Sequence, residues 1–433
     1  MKQKDKKTHK SAKKRSTACA AAVLLCAALL QSLFPETGFA SEIGPGILNL
    51  SPADTYAVYQ WGLKNDGKLG VERSALKKDA FQELYQSYRE WAASGGIGIP
   101  PRTPEPSDFS HEIVRAAKGI DIKAAEAFAR YRADQAAGAD MRDVVVAVID
   151  TGIDTEHLEL KDALWVNADE TPGDGIDNDG NGYIDDVNGY NFFDGSPRVR
   201  DNKLADLHGT HAAGTIAAKW GNGGTAGLTD NAHVKIMVLK ALDEDGGGTE
   251  QSVINAIRYA EANGASICNL SLGGTEAFPE LESVIKASKM LFVVAAGNGD
   301  EKGKGYDTDA KPVYPAAYPE DNIISVANLN FTGELEESSN YGLESVDLAA
   351  PGTYILSTAP GNTFQFLTGT SMAAPMVTGV CAMVYSYRPE FSLQDVKEAV
   401  LATVQPLASL TSKVKTGGIP DLAAAMQYGR NKG

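Results

Sequence analysis

Cysteine is scarce in this chain of 433 residues, which contains only four. Cys19 and Cys26 lie within the first 40 residues, and Cys268 and Cys381 lie inside apolar stretches. Two cysteines in the rest of the chain cannot form the dense disulfide framework of small secreted domains. We therefore expect Cys268 and Cys381 to be buried thiols without a chemical role, with one disulfide bond between them as the alternative.

Long hydrophobic runs are also rare. One run near membrane-spanning length, about 17 residues, occupies positions 18–34. A basic segment ending at Arg15 precedes this run and a small-residue site ending at Ala40 follows it, which is the pattern of a secretory signal peptide. We predict that residues 1–40 are cleaved and that the protein is secreted, free or at the cell envelope, without stable membrane association. A retained membrane anchor is the alternative.

Positive charge is in deficit, with 40 Lys and Arg against 56 Asp and Glu and a formal net charge of −16. Eight of the basic residues lie in the predicted signal peptide, so the remainder is more acidic still. An acidic surface repels nucleic acid and anionic membranes and attracts cations such as calcium. We therefore expect no nucleic-acid partner.

Short apolar runs alternate with segments of helical periodicity from Val144 onward. Strands are predicted at 144–149, 234–239, 265–270, 291–295 and 322–327, and helices at 207–219, 251–262, 371–385 and 392–403. Continuous apolar strands separated by helices are typical of a parallel sheet covered on both faces. The predicted fold class is therefore α/β, with three layers and a central parallel sheet. Reactive residues are expected at the carboxyl ends of the strands.

Three short segments combine a reactive side chain with glycine. A predicted strand leads directly into Asp150, a helix begins with His208 and His211, and Ser371 follows Gly369 at the start of another helix. Each has an ordinary structural explanation: a turn residue for Asp150, core residues or a zinc pair for the histidines, and a helix N-cap for Ser371. Together they offer a nucleophile, a base and a carboxylate that orients the base.

The chain resembles the subtilase family of serine peptidases, whose catalytic residues follow the order Asp, His, Ser. The matching blocks are residues 148–152, 208–214 and 369–375. The resemblance extends from about residue 119 to about residue 426 and implies a serine endopeptidase. It implies that Ser371 attacks the peptide carbonyl, that His208 transfers the proton and that Asp150 orients the imidazole. His211 is then a structural residue.

The resemblance also implies an oxyanion donor and a substrate-binding edge. Asn298, after the predicted strand 291–295, matches the side chain that stabilises the tetrahedral oxyanion. The residues that match the edge are Ser271, Leu272, Gly273 and Gly274. In subtilases this edge pairs with the extended substrate and lines the pocket for the residue before the scissile bond. The expected partners are protein or peptide substrates, and no cofactor is expected in catalysis.

An acidic loop separates Asp150 from His208. It follows the first half of an EF-hand calcium loop, with candidate ligands at Asp177, Asp179, Asn181, Tyr183 and Asp185. Asn188 stands where an EF-hand has its bidentate glutamate, so a solvated acidic turn is the alternative. We predict a structural calcium ion that protects the loop from autolysis.

The segment before residue 119 leaves the domain boundary open. We predict that residues 41–118, with a helical pattern at 73–93, form an N-terminal extension or a removable pro-segment, and that residues 119–433 form the peptidase domain. Residues 59–67, however, look like the beginning of a mature subtilase domain, which would make residues 70–118 an insertion.

Two alternative functions remain open, since a processing protease for one peptide and an inactive binding protein would carry the same motifs. A monomer is expected.

Overall fold

The structure is a computed structural model, and it describes residues 59–72, 111–201 and 204–429. The predicted signal peptide and the predicted helix at 73–93 lie outside the described residues. Among the described residues, no helix combines the length and the apolar character needed to cross a membrane.

The described chain begins with an antiparallel strand pair. Strand β1 (Lys68–Glu72) pairs with β2 (His111–Arg115), and Glu72 lies opposite His111 in this pair. The described residues that flank positions 73–110 are therefore paired with each other.

A parallel sheet of seven strands forms the centre of the molecule. Its strands, in spatial order, are β4 (Gly189–Asn191), β5 (Val234–Lys240), β3 (Val144–Asp150), β6 (Ile267–Leu270), β7 (Leu291–Ala295), β8 (Ile323–Leu329) and β9 (Leu348–Pro351). Each neighbouring pair is parallel. The central strands are rich in Val, Ile and Leu because helices cover both faces and leave no side for water.

Helices lie on both faces of this sheet. On one face are α1 (Ala124–Ala136), α2 (Leu207–Ala217), α5 (Thr370–Tyr387), α6 (Leu393–Ala402) and α7 (Leu422–Met426), and on the other are α3 (Glu250–Ala262) and α4 (Pro279–Ala287). Successive residues of β3 alternate between two cores: Val146 and Val148 face the first set of helices, and Ala147 and Ile149 face the second. The predicted three-layer α/β fold is confirmed.

The strands and helices predicted from Val144 onward occur with boundaries within two residues of those expected. The sequence did not indicate α4, the hairpin of β10 (Ile355–Ala359) and β11 (Thr363–Leu367), or the short pair β12 (Gln405–Pro406) and β13 (Gly418–Ile419). The hairpin matters for the site because it leads directly into the loop before α5.

The segment before β1 is part of the main hydrophobic core. Trp61 and Leu63 are each only 1% exposed. The Trp61 indole Nε1 donates a hydrogen bond of 2.8 Å to the carbonyl oxygen of Thr353. A Cβ atom at Gly62 would lie 2.9 Å from Cβ of Pro351, so glycine is needed for this close approach.

The two cysteines of the described chain are buried and free, as predicted. Cys268 lies in β6 and Cys381 in α5. Burial raises the pKa of Cys381 to about 12 and also raises the pKa of Cys268. Both thiols therefore remain protonated near neutral pH and are poor nucleophiles.

Candidate active site

Asp150 and His208 form a close pair at the carboxyl edge of the sheet. Asp150 is the last residue of β3 and is 1% exposed. His208 Nδ1 lies 2.8 Å and 2.9 Å from the two carboxylate oxygens of Asp150. A buried carboxylate needs such a donor. With its proton on Nδ1, the imidazole keeps Nε2 available to accept a proton.

Glycine at position 209 allows α2 to approach the end of β3. A Cβ atom at Gly209 would lie 2.2 Å from the carbonyl oxygen of Gly152 and 3.2 Å from Cβ of Asp150. Helix α2 also stabilises the turn after β3, because Thr210 Oγ1 on this helix accepts a hydrogen bond of 2.9 Å from the backbone N–H of Asp154 in the turn. The small residues around His208 thus bring its ring to Asp150.

The two histidines of α2 have opposite electrostatic environments. Burial alone lowers the pKa of His208, but the charge and the hydrogen bond of Asp150 raise it by more, so the net shift is upward. Burial lowers the pKa of His211 to about 4. The neutral His211 ring places Nε2 at 2.9 Å from the carbonyl oxygen of Ile355 and 3.1 Å from that of Gln365. His211 therefore links α2 to the β10–β11 hairpin.

Ser371 is the second residue of α5, which packs against α2. Its hydroxyl donates a hydrogen bond of 3.2 Å to the carbonyl oxygen of Ser271, and its own carbonyl accepts one of 2.9 Å from Ser271 Oγ. The Ser371 hydroxyl thus donates to the backbone here, and a hydrogen bond from it to an imidazole would require the hydroxyl to reorient. Such contacts are often formed only when substrate is bound.

Asn298 lies beside the first turn of α5. Its side-chain oxygen accepts hydrogen bonds from the backbone N–H of Thr370 at 2.8 Å and from Thr370 Oγ1 at 3.0 Å. This orientation leaves the Nδ2 donors for another partner. The first N–H groups of a helix also lack intrahelical acceptors. Asn298 Nδ2 and the backbone N–H of Ser371 can therefore both serve a negatively charged oxygen.

The predicted substrate edge follows β6 and is anchored at its far end. Gly274 and Tyr314 exchange two backbone hydrogen bonds, of 2.8 Å and 2.7 Å. A Cβ atom at Gly273 would lie 3.2 Å from Val313 Cγ1, and one at Gly297 would lie 3.4 Å from the same atom. Val313 thus fills the space between the edge and the Asn298 loop. No local pattern in the sequence indicated it.

The structure brings together part of the predicted calcium site. Glu170, Asp177 and Asp179 each place a carboxylate oxygen within 4.8 Å of the others. Glu170 was not predicted, because it precedes the EF-hand-like motif. The predicted ligand Asp185 lies outside this group of carboxylates: its two oxygens accept hydrogen bonds from the backbone N–H groups of residues 173–175.

The remaining predicted ligands hold the loop together. Asn181 Nδ2 donates to Asp179 at 2.9 Å and to the buried Asp186 at 2.8 Å, and the Tyr183 backbone N–H donates to Asn181 at 2.7 Å. Asp186 also accepts a hydrogen bond of 2.5 Å from the Tyr259 hydroxyl on α3. The loop is therefore tied to the helix layer by its own polar groups.

A doubly covered parallel sheet with an Asp–His pair at its carboxyl edge and a serine at a nearby helix start defines a serine peptidase of the subtilisin type. The model of the subtilase family matches residues 141–423. The chain belongs to the subtilase family and is a serine endopeptidase.

Several known proteins are similar to this chain. It is 39% identical over 273 residues to the major intracellular serine protease of Bacillus subtilis (strain 168), a match that covers 62% of this chain and 74% of that protein. It is 34% identical over 300 residues to the intracellular serine protease of Paenibacillus polymyxa, covering 67% and 82%.

A third relative is much longer than the matched region. The chain is 34% identical over 305 residues to subtilisin-like protease 1 of Plasmodium falciparum (isolate 3D7), covering 65% of this chain but 43% of that protein. Among solved structures, a cold adapted subtilisin-like serine proteinase is 26% identical, with a TM-score of 0.49, covering 63% of this chain and 88% of that one.

Proposed function

We propose that the protein is a secreted endopeptidase in which Ser371, His208 and Asp150 act as a catalytic triad through an acyl-enzyme intermediate. The observation that carries this proposal is the contact of His208 Nδ1 with both oxygens of the Asp150 carboxylate. That contact selects the tautomer whose Nε2 is a base and stabilises the imidazolium that forms when Nε2 takes a proton.

Each chemical step then has a donor and an acceptor. Ser371 Oγ attacks the peptide carbonyl and passes its proton to His208 Nε2, and His208 returns that proton to the leaving amine. Water then attacks the acyl-enzyme carbonyl and gives a proton to His208, which passes it to Ser371 Oγ as the ester bond breaks. In both tetrahedral intermediates the oxyanion accepts hydrogen bonds from Asn298 Nδ2 and from the backbone N–H of Ser371.

Substrate binding is proposed to use the backbone of residues 271–274. An extended peptide that adds to this edge gains main-chain hydrogen bonds that do not depend on its sequence, so many proteins are accepted as substrates. The direct contact between Ser271 and Ser371 supports this proposal, since it joins the proposed edge to the proposed nucleophile. We propose a monomer, since the triad and the substrate edge belong to one chain.

A comparison of the unaltered chain with Ser371→Ala tests this function. Both are incubated with casein and with a fluorophosphonate probe that reacts with activated serines. We expect digestion and labelling by the unaltered enzyme alone. Equal digestion by both proteins, or no labelling of the unaltered one, contradicts the assignment, and labelling without digestion of casein indicates a processing enzyme for a particular peptide.

Secretion is proposed from the pattern of residues 1–40 alone. Two of the relatives are named as intracellular proteases, so the comparisons do not support this part of the proposal. Expression in a bacterial host that secretes through signal peptides tests it. Mature protein in the medium with an N-terminus after residue 40 is the expected result, and cell-retained protein with an intact N-terminus contradicts it.

We further propose that the peptidase unit includes the segment before β1 and that residues 73–110 are an insertion. The burial of Trp61 and Leu63 in the main core supports this boundary. Mass analysis of the active enzyme should therefore find Trp61 retained. An active enzyme that has lost all residues before 119 would contradict the proposal.

Calcium is proposed as a structural ion at the acidic loop. Three carboxylates within 4.8 Å repel one another unless a cation lies between them, and hard oxygen ligands suit calcium. Glu170, Asp177 and Asp179 would hold the ion. The ion would add stability to the loop and would take no part in peptide hydrolysis.

A further inference from the structure

A line of buried polar side chains leads from the middle of α5 to Ser371. Thr378 Oγ1 donates to Asn269 Oδ1 at 2.8 Å, Asn269 Nδ2 donates to Ser271 Oγ at 3.0 Å, and Ser271 Oγ donates to the Ser371 carbonyl at 2.9 Å. Thr378 and Asn269 are fully buried, and Ser271 is 6% exposed.

The middle of a parallel sheet is an unusual place for an amide. Asn269 lies on β6 between β3 and β7, opposite Val148 and Val293, and its side chain faces the apolar α5. The Asn269 amide is paired at both its oxygen and its nitrogen, but replacing a paired buried amide and its partners by apolar groups of the same shape is near neutral or even stabilising. The stability of the sheet therefore gives no reason for an asparagine at this position.

Thr378 determines the direction, from donor to acceptor, of the hydrogen bonds along this line of side chains. Because Asn269 Oδ1 accepts from Thr378, Asn269 Nδ2 must face Ser271, and the Ser271 hydroxyl then has the Ser371 carbonyl as its acceptor. If the amide turned over, its oxygen would face Ser271 and draw the hydroxyl away from Ser371. Thr378 itself does not require Asn269, since its hydroxyl also lies 3.0 Å from the Ala374 carbonyl.

The end of the line fixes the nucleophile relative to the substrate edge. Ser271 and Ser371 are joined by two hydrogen bonds that run in opposite directions, one from each hydroxyl to the other residue's carbonyl. Loss of one bond frees the first turn of α5 to shift against residues 271–274. Small shifts of this kind are costly, because misplacement of reacting groups by about 1 Å reduces rates about 100-fold.

We propose that Thr378 and Asn269 are positioning residues that act through Ser271 to hold Ser371 in register with the bound peptide. This inference rests on the proposed role of Ser371 as the nucleophile. It predicts an effect on kcat rather than on KM, since the main-chain contacts of the substrate edge remain in place.

Substitutions of Thr378 in the full chain test the inference. Thr378→Val keeps the shape of the side chain and removes the hydroxyl, so we expect kcat and the rate of fluorophosphonate labelling to fall about 10-fold or more with little change in KM. Thr378→Ser restores the hydroxyl and should recover most of the activity. Thr229→Val is the matched control, since Thr229 is equally buried and its hydroxyl donates to the Ile216 carbonyl, outside this line.

The rates are expressed per active site, by titration with the probe, so that a loss of folded protein does not imitate a loss of catalysis. Thr378→Ala, which fits the same space without strain, is measured in parallel and should behave as Thr378→Val does. A kcat per active site equal to that of the unaltered enzyme in the folded variants, even with a lower Tm, overturns the inference alone. Failure of the unaltered enzyme to react with the probe overturns the proposed function, and the inference with it.

Discussion

Asp150 sets the pKa of the base in the proposed triad. His208 must be neutral to accept a proton, so activity falls as the pH drops through its pKa, which lies above the ordinary value of about 6.5. In Asp150→Asn the negative charge is lost and the lowering effect of burial remains. We predict that the acidic limb of the kcat/KM profile moves to lower pH while kcat falls by about 10⁴-fold.

The pH profile of kcat/KM on a peptide substrate, measured for both enzymes over the acid limb, checks this prediction. An acid limb at the same pH in Asp150→Asn would show that another group controls the profile.

Asn298 is expected to contribute to the transition state rather than to substrate binding. Asn298→Ala removes the Nδ2 donor, and we predict a loss of kcat of about 10²–10³-fold with KM nearly unchanged, the range known for this kind of donor in subtilisin. Thr370→Val is the control: it removes the hydroxyl that donates to Asn298 Oδ1 and accepts from the backbone N–H of Gly297, but it keeps the Nδ2 donor and should cost less. Steady-state measurement of kcat and KM checks this prediction. An effect of Asn298→Ala on KM alone would show that Asn298 contributes to substrate binding and not to the transition state.

Residues that lie in short motifs could be predicted from the sequence, and residues that act through distant contacts could not. Asp150, His208 and Ser371 each stand next to small residues that permit close approach, which is a local signal. Thr378 and Asn269 are 109 positions apart, and only the packing of α5 on β6 joins them. Glu170 precedes the acidic motif and joins it only through the fold of the loop.

At the scale of elements, the strands of the central sheet were predictable because burial on both faces requires continuous apolar runs. The β10–β11 hairpin was not, since it is fixed by contacts with α2: Ser357 Oγ donates to the His211 carbonyl at 2.8 Å and Thr358 Oγ1 to that of Thr210 at 2.7 Å. These bonds join the element that carries His208 to the one that leads into Ser371.

The segment before β1 should behave as a part of the core. Trp61→Ala removes a fully buried side chain and the hydrogen bond to Thr353, and we predict that the free energy of unfolding falls by about 3–5 kcal/mol. Urea unfolding in a Ser371→Ala background, which prevents autolysis, measures the change. Trp61→Phe is the control and should cost less. A change below about 1 kcal/mol in Trp61→Ala would show that this segment is not an integral part of the domain.

At the scale of the whole molecule, the acidic charge and the carboxylate cluster make stability depend on cations. An ion that binds the folded chain alone adds about 2.7 kcal/mol at 100 times its Kd. We predict that calcium raises the Tm of Ser371→Ala and that EDTA reverses the effect. Glu170→Gln and Asp177→Asn should abolish the response, whereas Asp245→Asn, an exposed acid outside the loop, should keep it. A Tm that does not respond to calcium would argue for a solvated acidic turn.

The proposed catalysis requires that a serine, a histidine and an aspartate far apart in the chain form one reactive group in the folded protein. Mass spectrometry of peptides from the fluorophosphonate-treated enzyme tests it most directly. The adduct should map to Ser371 alone, and His208→Ala should abolish it while the protein remains folded. An adduct on another serine, or full labelling of Ser371 in His208→Ala, would contradict the proposed triad.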